Sequence, residues 1–291
     1  METIKEKVIL LIGKGFLGTK IVSVFSQKGI KIITAGIEDK VDYSLDITDE
    51  QSMIYLFKDL NPDIVFLPAG ITNVDLCEVE QENAIEVNIE GTRNVVDACR
   101  AFNSKLVFFS TDYVFDGIKG NYTEKDKVNP INFYGKTKVQ GEQIVQGLEG
   151  HLIARVSALY GFNSEKDKKT FVVYALEQLK QNKEITAANL INCPTLIDDI
   201  AEAIHFMLEK NFSGTFHLTG SEACSKKDLL LKICKVFDLN SSLVKEVSLI
   251  QKWKAKRPVN TSLDITKIQS HGIKMSSVEE GLIRMKKEME L

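Results

Sequence analysis

The sequence predicts an α/β protein built on a doubly wound parallel sheet. Three observations carry this. Short apolar runs alternate with helix-period stretches through the first half of the chain, the connections between them are short, and the first run ends in a glycine turn, Gly13-Lys14-Gly15-Phe16-Leu17-Gly18. Such alternation buries a parallel sheet under helices on both faces. Right-handed crossovers then give Rossmann-type winding.

The elements follow in order. Val8-Ile9-Leu10-Leu11-Ile12 is continuously apolar, as a strand buried on both faces must be. A helix is expected over about 16–28, with Gly29 at the place of a C-cap glycine. A second strand is expected at 30–35. Asp49 can cap a helix that ends near Leu60, and Asn61-Pro62-Asp63 breaks the chain before a third strand at 64–67. A helix over about 83–102, a strand at 105–110, a helix over 132–147 and a fifth strand at 151–156 complete this half.

The later half is less regular. It reads as a charged loop at 166–169, helices at 171–181 and 198–210, a strand at 214–218, and helices at 226–237 and 278–290. Ile200, Ala203, Ile204 and Met207 share one face of the 198–210 helix. With no Pro/Gly/Ser linker, a second domain must be interleaved with the first. Residues 1–160 plus about 191–220 are the expected dinucleotide-binding domain. About 161–190 plus 221–291 are the expected smaller, substrate-binding domain.

Composition narrows the function. The 291 residues are 44% hydrophobic and 26% charged, which excludes a disordered or fibrous chain. A net charge of −3 carries no polyanion signature, so nucleic acid is not an expected partner. No apolar run approaches the roughly 18 residues of a membrane span. The start is charged and lacks a signal-peptide apolar stretch, so the expectation is a cytoplasmic protein with no membrane partner. The five cysteines form no CxxC pair and the four histidines are scattered, so no metal site is expected.

The glycine turn follows a strand and opens a helix, the context in which such a turn binds a dinucleotide pyrophosphate. The ribose is read at the end of the second strand, here Thr34-Ala35-Gly36-Ile37. Gly36 offers no carboxylate to repel a 2′-phosphate, and Lys14 could reach one. NADPH is therefore the expected cofactor ahead of NADH, although Glu38 and Asp39 follow closely.

Tyr134 and Lys138 are four apart, so they share a helix face. A neighbouring ammonium favours phenolate, which suits the pair to proton transfer near neutral pH. Upstream, the Phe108-Phe109-Ser110-Thr111 strand ends in hydroxyls, where open α/β sheets bind ligands. Thr111 is thus expected to hydrogen-bond a substrate oxygen beside Tyr134.

Ser110-Thr111-Asp112-Tyr113-Val114-Phe115-Asp116-Gly117, with Tyr122-Thr123-Glu124, Asn129-Pro130-Ile131-Asn132, Tyr134-Gly135-Lys136-Thr137-Lys138 and Gly141-Glu142, resembles the extended short-chain dehydrogenase/reductases. Among these it is most similar to the dTDP-4-dehydrorhamnose reductases. The likeness runs over nearly the whole chain, through Thr72-Asn73-Val74-Asp75, Asn88, Arg155, Tyr160-Gly161, Pro194-Thr195, Arg257-Pro258 and Leu263-Asp264.

The resemblance implies an NAD(P)H-dependent reduction of the C4 ketone of a nucleotide-linked 6-deoxy-4-ketohexose. It makes Thr111, Tyr134 and Lys138 the catalytic residues. Tyr134 would donate the proton, Lys138 would hold the nicotinamide ribose, and Thr111 would orient the ketone. Residues 13–18, Asp46-Ile47 and Pro68-Ala69-Gly70 would line the cofactor. Thr72, Val74, Thr111, Asp112, Tyr113 and Ala158 would meet the substrate. Ala158 stands where these reductases commonly carry Trp. Arg257, preceded by Lys252, Lys254 and Lys256, is the expected ligand of the substrate diphosphate. The resemblance also admits a homodimer. Two alternatives stay open: an epimerase that holds NAD tightly, and a non-catalytic regulatory subunit like that of methionine adenosyltransferase.

Overall fold

The computed structural model describes residues 3–163, 170–247 and 253–290. The charged segment expected at 166–169, and Lys252, lie outside the described residues. Seven strands form one parallel sheet: β1 (Ile9–Ile12), β2 (Ile32–Gly36), β3 (Tyr43–Ser44), β4 (Ile64–Leu67), β5 (Lys105–Thr111), β6 (Leu152–Val156) and β11 (Gly214–His217). Their order is β11-β6-β5-β4-β1-β2-β3, the doubly wound arrangement expected. The intervening β7 (Leu159–Tyr160), β8 (Ile185–Ala188), β9 (Ile191–Asn192) and β10 (Thr195–Leu196), with β12 (Cys224–Ser225) and β13 (Val244–Val247), make three small pairs.

Strand alternation splits the apolar residues between two layers. Ile9, Leu11, Phe66, Val107 and Phe109 face α1 (Phe16–Gln27) and α8 (Ile197–Glu209). Leu10, Ile12, Val65, Leu67 and Phe108 face the other layer, with α2 (Glu50–Leu60), α5 (Gly91–Phe102) and α6 (Phe133–Gln146). Both faces are covered, so these strands read as unbroken apolar runs.

The single helix expected at 83–102 is instead a succession. The chain is helical through α3 (Val74–Val79) and α4 (Gln81–Ile85), widens into a π-turn at Glu86–Glu90, and only then runs as α5. Close packing follows directly, because a Cβ on Gly91 would lie 2.6 Å from Ile47 Cγ1. The two-residue strands escaped sequence reasoning because two residues carry no period.

A separate apolar cluster joins Tyr160, Leu176, Leu196, Leu230 and Leu282. It unites α7 (Phe171–Lys180), α9 (Lys226–Phe237) and α11 (Val278–Met289). The short α10 (Thr266–Gln269) packs its Ile268 against the sheet layer instead. No described helix is long and apolar enough to cross a membrane.

Candidate active site

The glycine turn joins β1 to α1. Gly13 has φ +100°, and a Cβ there would lie 2.6 Å from the Ala69 backbone. A Cβ on Gly18 would lie 2.5 Å from Gly13 O, so glycine is what lets α1 press against the turn. Gly15 is the N-cap of α1 and supplies no side-chain cap, and nothing lies within 4 Å of a Cβ built on it. An uncapped helix start beside open space fits a pyrophosphate.

Of the other expected cofactor-lining residues, Pro68-Ala69-Gly70 lie beside this turn. Ala69 N donates to Ile12 O at 3.1 Å, which sets Pro68-Ala69-Gly70 alongside Gly13. Phe16 O accepts from Asn163, and Leu17 is buried. Lys14 Nζ donates to Lys40 O at 2.9 Å. Asp46 accepts from Thr48, while the Ile47 side chain is buried against Gly91. Ile47 can therefore offer only backbone to a ligand.

The second half of the site forms where β5 ends and α6 begins. Asn132 caps α6 by accepting from Gly135 N at 2.8 Å. A Cβ on Gly135 would lie 2.3 Å from Tyr113 O, so glycine lets α6 approach the turn after β5. That approach sets Tyr134 beside Thr111. Thr111, Tyr134 and Lys138 are only 6%, 9% and 7% exposed. Burial pushes the Tyr134 phenol well above its ordinary value, against the smaller opposing pull of the Thr111 hydroxyl. Burial likewise lowers Lys138 to about 8, and its ammonium lies 4.0 Å from the centre of the Phe108 ring. The expectation that the ammonium lowers the phenol is thus outweighed here by desolvation. Tyr134 is thereby held protonated.

Thr111 is fixed through Asp112. The buried Asp112 carboxylate accepts from Thr111 at 3.1 Å, Ser157 at 2.8 Å and Thr261 at 2.5 Å. Burial still raises its pKa despite these bonds. Ser157 and Thr261 went unnoticed in the sequence, since 149 residues separate Thr261 from Asp112. Asn88, which the sequence offered only as part of the resemblance, has a structural role here. It bonds both backbone groups of Ile71 and donates to Thr137 at 3.1 Å, tying the loop after β4 to α6.

Val74 and Tyr113 pack in one apolar cluster with Tyr134, while Thr72 is exposed. Ala158 sits at φ +42°, a strained conformation for a residue with a Cβ. Arg257 is 11% exposed and already paired. It bonds Asp75 at 3.0 Å, donates to Ala255 O at 3.0 Å and stacks on Trp253. Its charge also reaches the Tyr113 phenol. Among the described residues, no group of three or more His, Cys, Asp or Glu could hold a metal ion.

Residues 6–291 match the family described as RmlD substrate binding domain. The dTDP-4-dehydrorhamnose reductase of Aggregatibacter actinomycetemcomitans is 33% identical over 261 residues, covering 83% of this chain and 87% of that protein. Methionine adenosyltransferase 2 subunit beta of Rattus norvegicus is 28% identical over 281 residues, covering 92% of this chain and 83% of that protein. A crystal structure of the Bacillus anthracis dTDP-4-dehydrorhamnose reductase, in complex with NADP, superposes with a TM-score of 0.88 at 30% identity, covering 97% of this chain and 99% of that one. The chain belongs to the RmlD substrate binding domain family.

Proposed function

We propose that the protein uses a reduced nicotinamide dinucleotide to reduce the C4 ketone of a nucleotide-linked 6-deoxy-4-ketohexose. The observation that carries this reading is a buried Thr111–Tyr134–Lys138 group at the carboxyl end of the sheet that also carries the glycine turn. The dinucleotide, when bound, supplies hydride. Tyr134 then gives its proton to the ketone oxygen, and Thr111, anchored by Asp112, orients that oxygen. Lys138 sits one helical turn from Tyr134 and holds the ribose. The dinucleotide-binding part is assigned to 1–160 plus about 191–220, and the substrate part to about 161–190 plus 221–291. A screen of nucleotide-linked 4-ketosugars for NAD(P)H oxidation tests the reading.

Relatives named as methionine adenosyltransferase subunits make binding without turnover the competing outcome. A buried proton donor beside a buried lysine favours chemistry over binding alone.

The Lys138 pKa of about 8 gives a pH dependence. kcat/KM for reduction should fall as pH rises through about 8, because the buried ammonium loses its proton there while Tyr134 keeps its own. The stability effect has the opposite sign. The folded value lies below the ordinary 10.5, so the unfolded chain binds the extra proton between these pH values. The cost of burying this charge is full below pH 8 and relieved above it. A pH–rate profile with no fall before pH 10 would contradict the Lys138 assignment.

Arg257 is proposed to meet the substrate diphosphate with the donors Asp75 leaves available. Arg257→Ala should raise KM for the nucleotide sugar about 10- to 150-fold, the worth of one charge-assisted hydrogen bond. KM for the dinucleotide should stay nearly constant. Equal losses for both ligands would mean that Arg257 only braces the Asp75 contact.

A further inference from the structure

We propose that Glu38 reads the adenosine ribose and gives the protein a preference for NADH over NADPH; this rests on the dinucleotide reading above. The second strand ends at Gly36, at the position where a Rossmann-type sheet meets that ribose. Taken alone, Gly36 leaves room for a 2′-phosphate. The fold fills that room from two residues further along. A Cβ built on Gly36 would lie 2.1 Å from Glu38 Oε2 and 3.5 Å from Gly13 N. The Glu38 carboxylate therefore occupies the space of a strand-end side chain, beside the glycine turn. It supplies the carboxylate that Gly36 lacks.

A second, independent observation points to a ligand. Glu38 Oε2 is buried and has no hydrogen-bond partner. An unpaired buried carboxylate oxygen is costly, and native structures pair such groups. The ribose 2′-hydroxyl is a donor of the right kind for this place. A 2′-phosphate is not: it brings no donor at neutral pH and sets like charges against each other. Lys14, a cation that could offset that repulsion, has its ammonium bonded to Lys40 O at 2.9 Å on the exposed side of the turn.

The test is equilibrium binding, followed by dinucleotide fluorescence or calorimetry, on the full chain and its Glu38→Gln variant. NADH should bind the unaltered protein roughly tenfold or more tighter than NADPH, a difference of about 1.4 kcal/mol or more. Glu38→Gln keeps the size of the side chain and removes the charge, so NADPH should gain affinity and the ratio should fall toward one. Adenosine 2′,5′-bisphosphate should behave as NADPH does, and AMP as NADH. Tighter binding of NADPH to the unaltered protein, or a ratio unchanged in Glu38→Gln, would overturn the role of Glu38 and leave the dinucleotide site standing. Failure of both dinucleotides to bind would overturn the underlying reading as well.

Discussion

Tyr134→Phe should lower kcat for ketone reduction by ~10²–10⁴-fold, the usual worth of one general acid. The substitution keeps the ring, which packs with Cys77, Ala84 and the edge of Tyr113. It removes only the hydroxyl next to Thr111. Dinucleotide affinity should change little, because the phosphate cradle belongs to β1 and α1, and the fold should survive. Burial holds the phenol protonated throughout the working range, so the loss should not depend on pH between about 6 and 8. Stopped-flow measurement of dinucleotide oxidation separates the hydride step from product release. Unchanged turnover in Tyr134→Phe would remove Tyr134 as the donor.

Arg155→Met should destabilise the protein by about 3–5 kcal/mol, the cost of leaving one member of a buried ion pair alone. Arg155 meets Glu142 through two parallel bonds, Nε–Oε1 at 2.9 Å and Nη2–Oε2 at 2.7 Å, and both side chains are almost wholly buried. Arg155 also lies over the Phe115 ring and 3.5 Å from His217 Nε2. Burial, with help from the Arg155 charge, lowers His217 to about 3, so the imidazole is neutral and cannot replace the guanidinium. The double change Arg155→Met with Glu142→Leu should recover most of the loss, since no unpaired charge then remains. Glu142 also acts on Lys138 one helical turn away, raising its pKa against burial. Freed from Arg155, Glu142 should raise it further and move the alkaline fall in activity upward. Urea unfolding and a pH–rate profile read the two effects separately. A single variant as stable as the parent would show that the pair contributes nothing.

Much of the frame was legible because each signal was local. The apolar run at 8–12, short and bounded by the glycine turn, reads as a strand covered on both faces, and the glycine spacing after it fixes where a helix starts. Tyr134 and Lys138 were legible for the same reason, since four residues along a helix fix a shared face. What the sequence hid depends on contacts between distant segments. The Asp112 carboxylate is satisfied by Ser157 and Thr261, and Arg257 by Asp75. Nothing in the spacing of those residues reveals their pairing. Glu38 was in view as a carboxylate close behind Gly36, but its folding back onto that glycine depends on a turn that spacing alone does not show. The π-turn before α5 was hidden too, because a single five-residue turn is too short to carry a period of its own.

The most direct measurement of the central claim is dinucleotide oxidation with a panel of dTDP-, GDP-, UDP- and CDP-linked 6-deoxy-4-ketohexoses. At least one of them should be converted to the 4-hydroxy sugar, with one dinucleotide oxidised per ketone reduced and no reaction in Tyr134→Phe. Binding of the dinucleotide and the nucleotide sugar with no turnover of any member, or an epimerised product without net oxidation, would contradict the account.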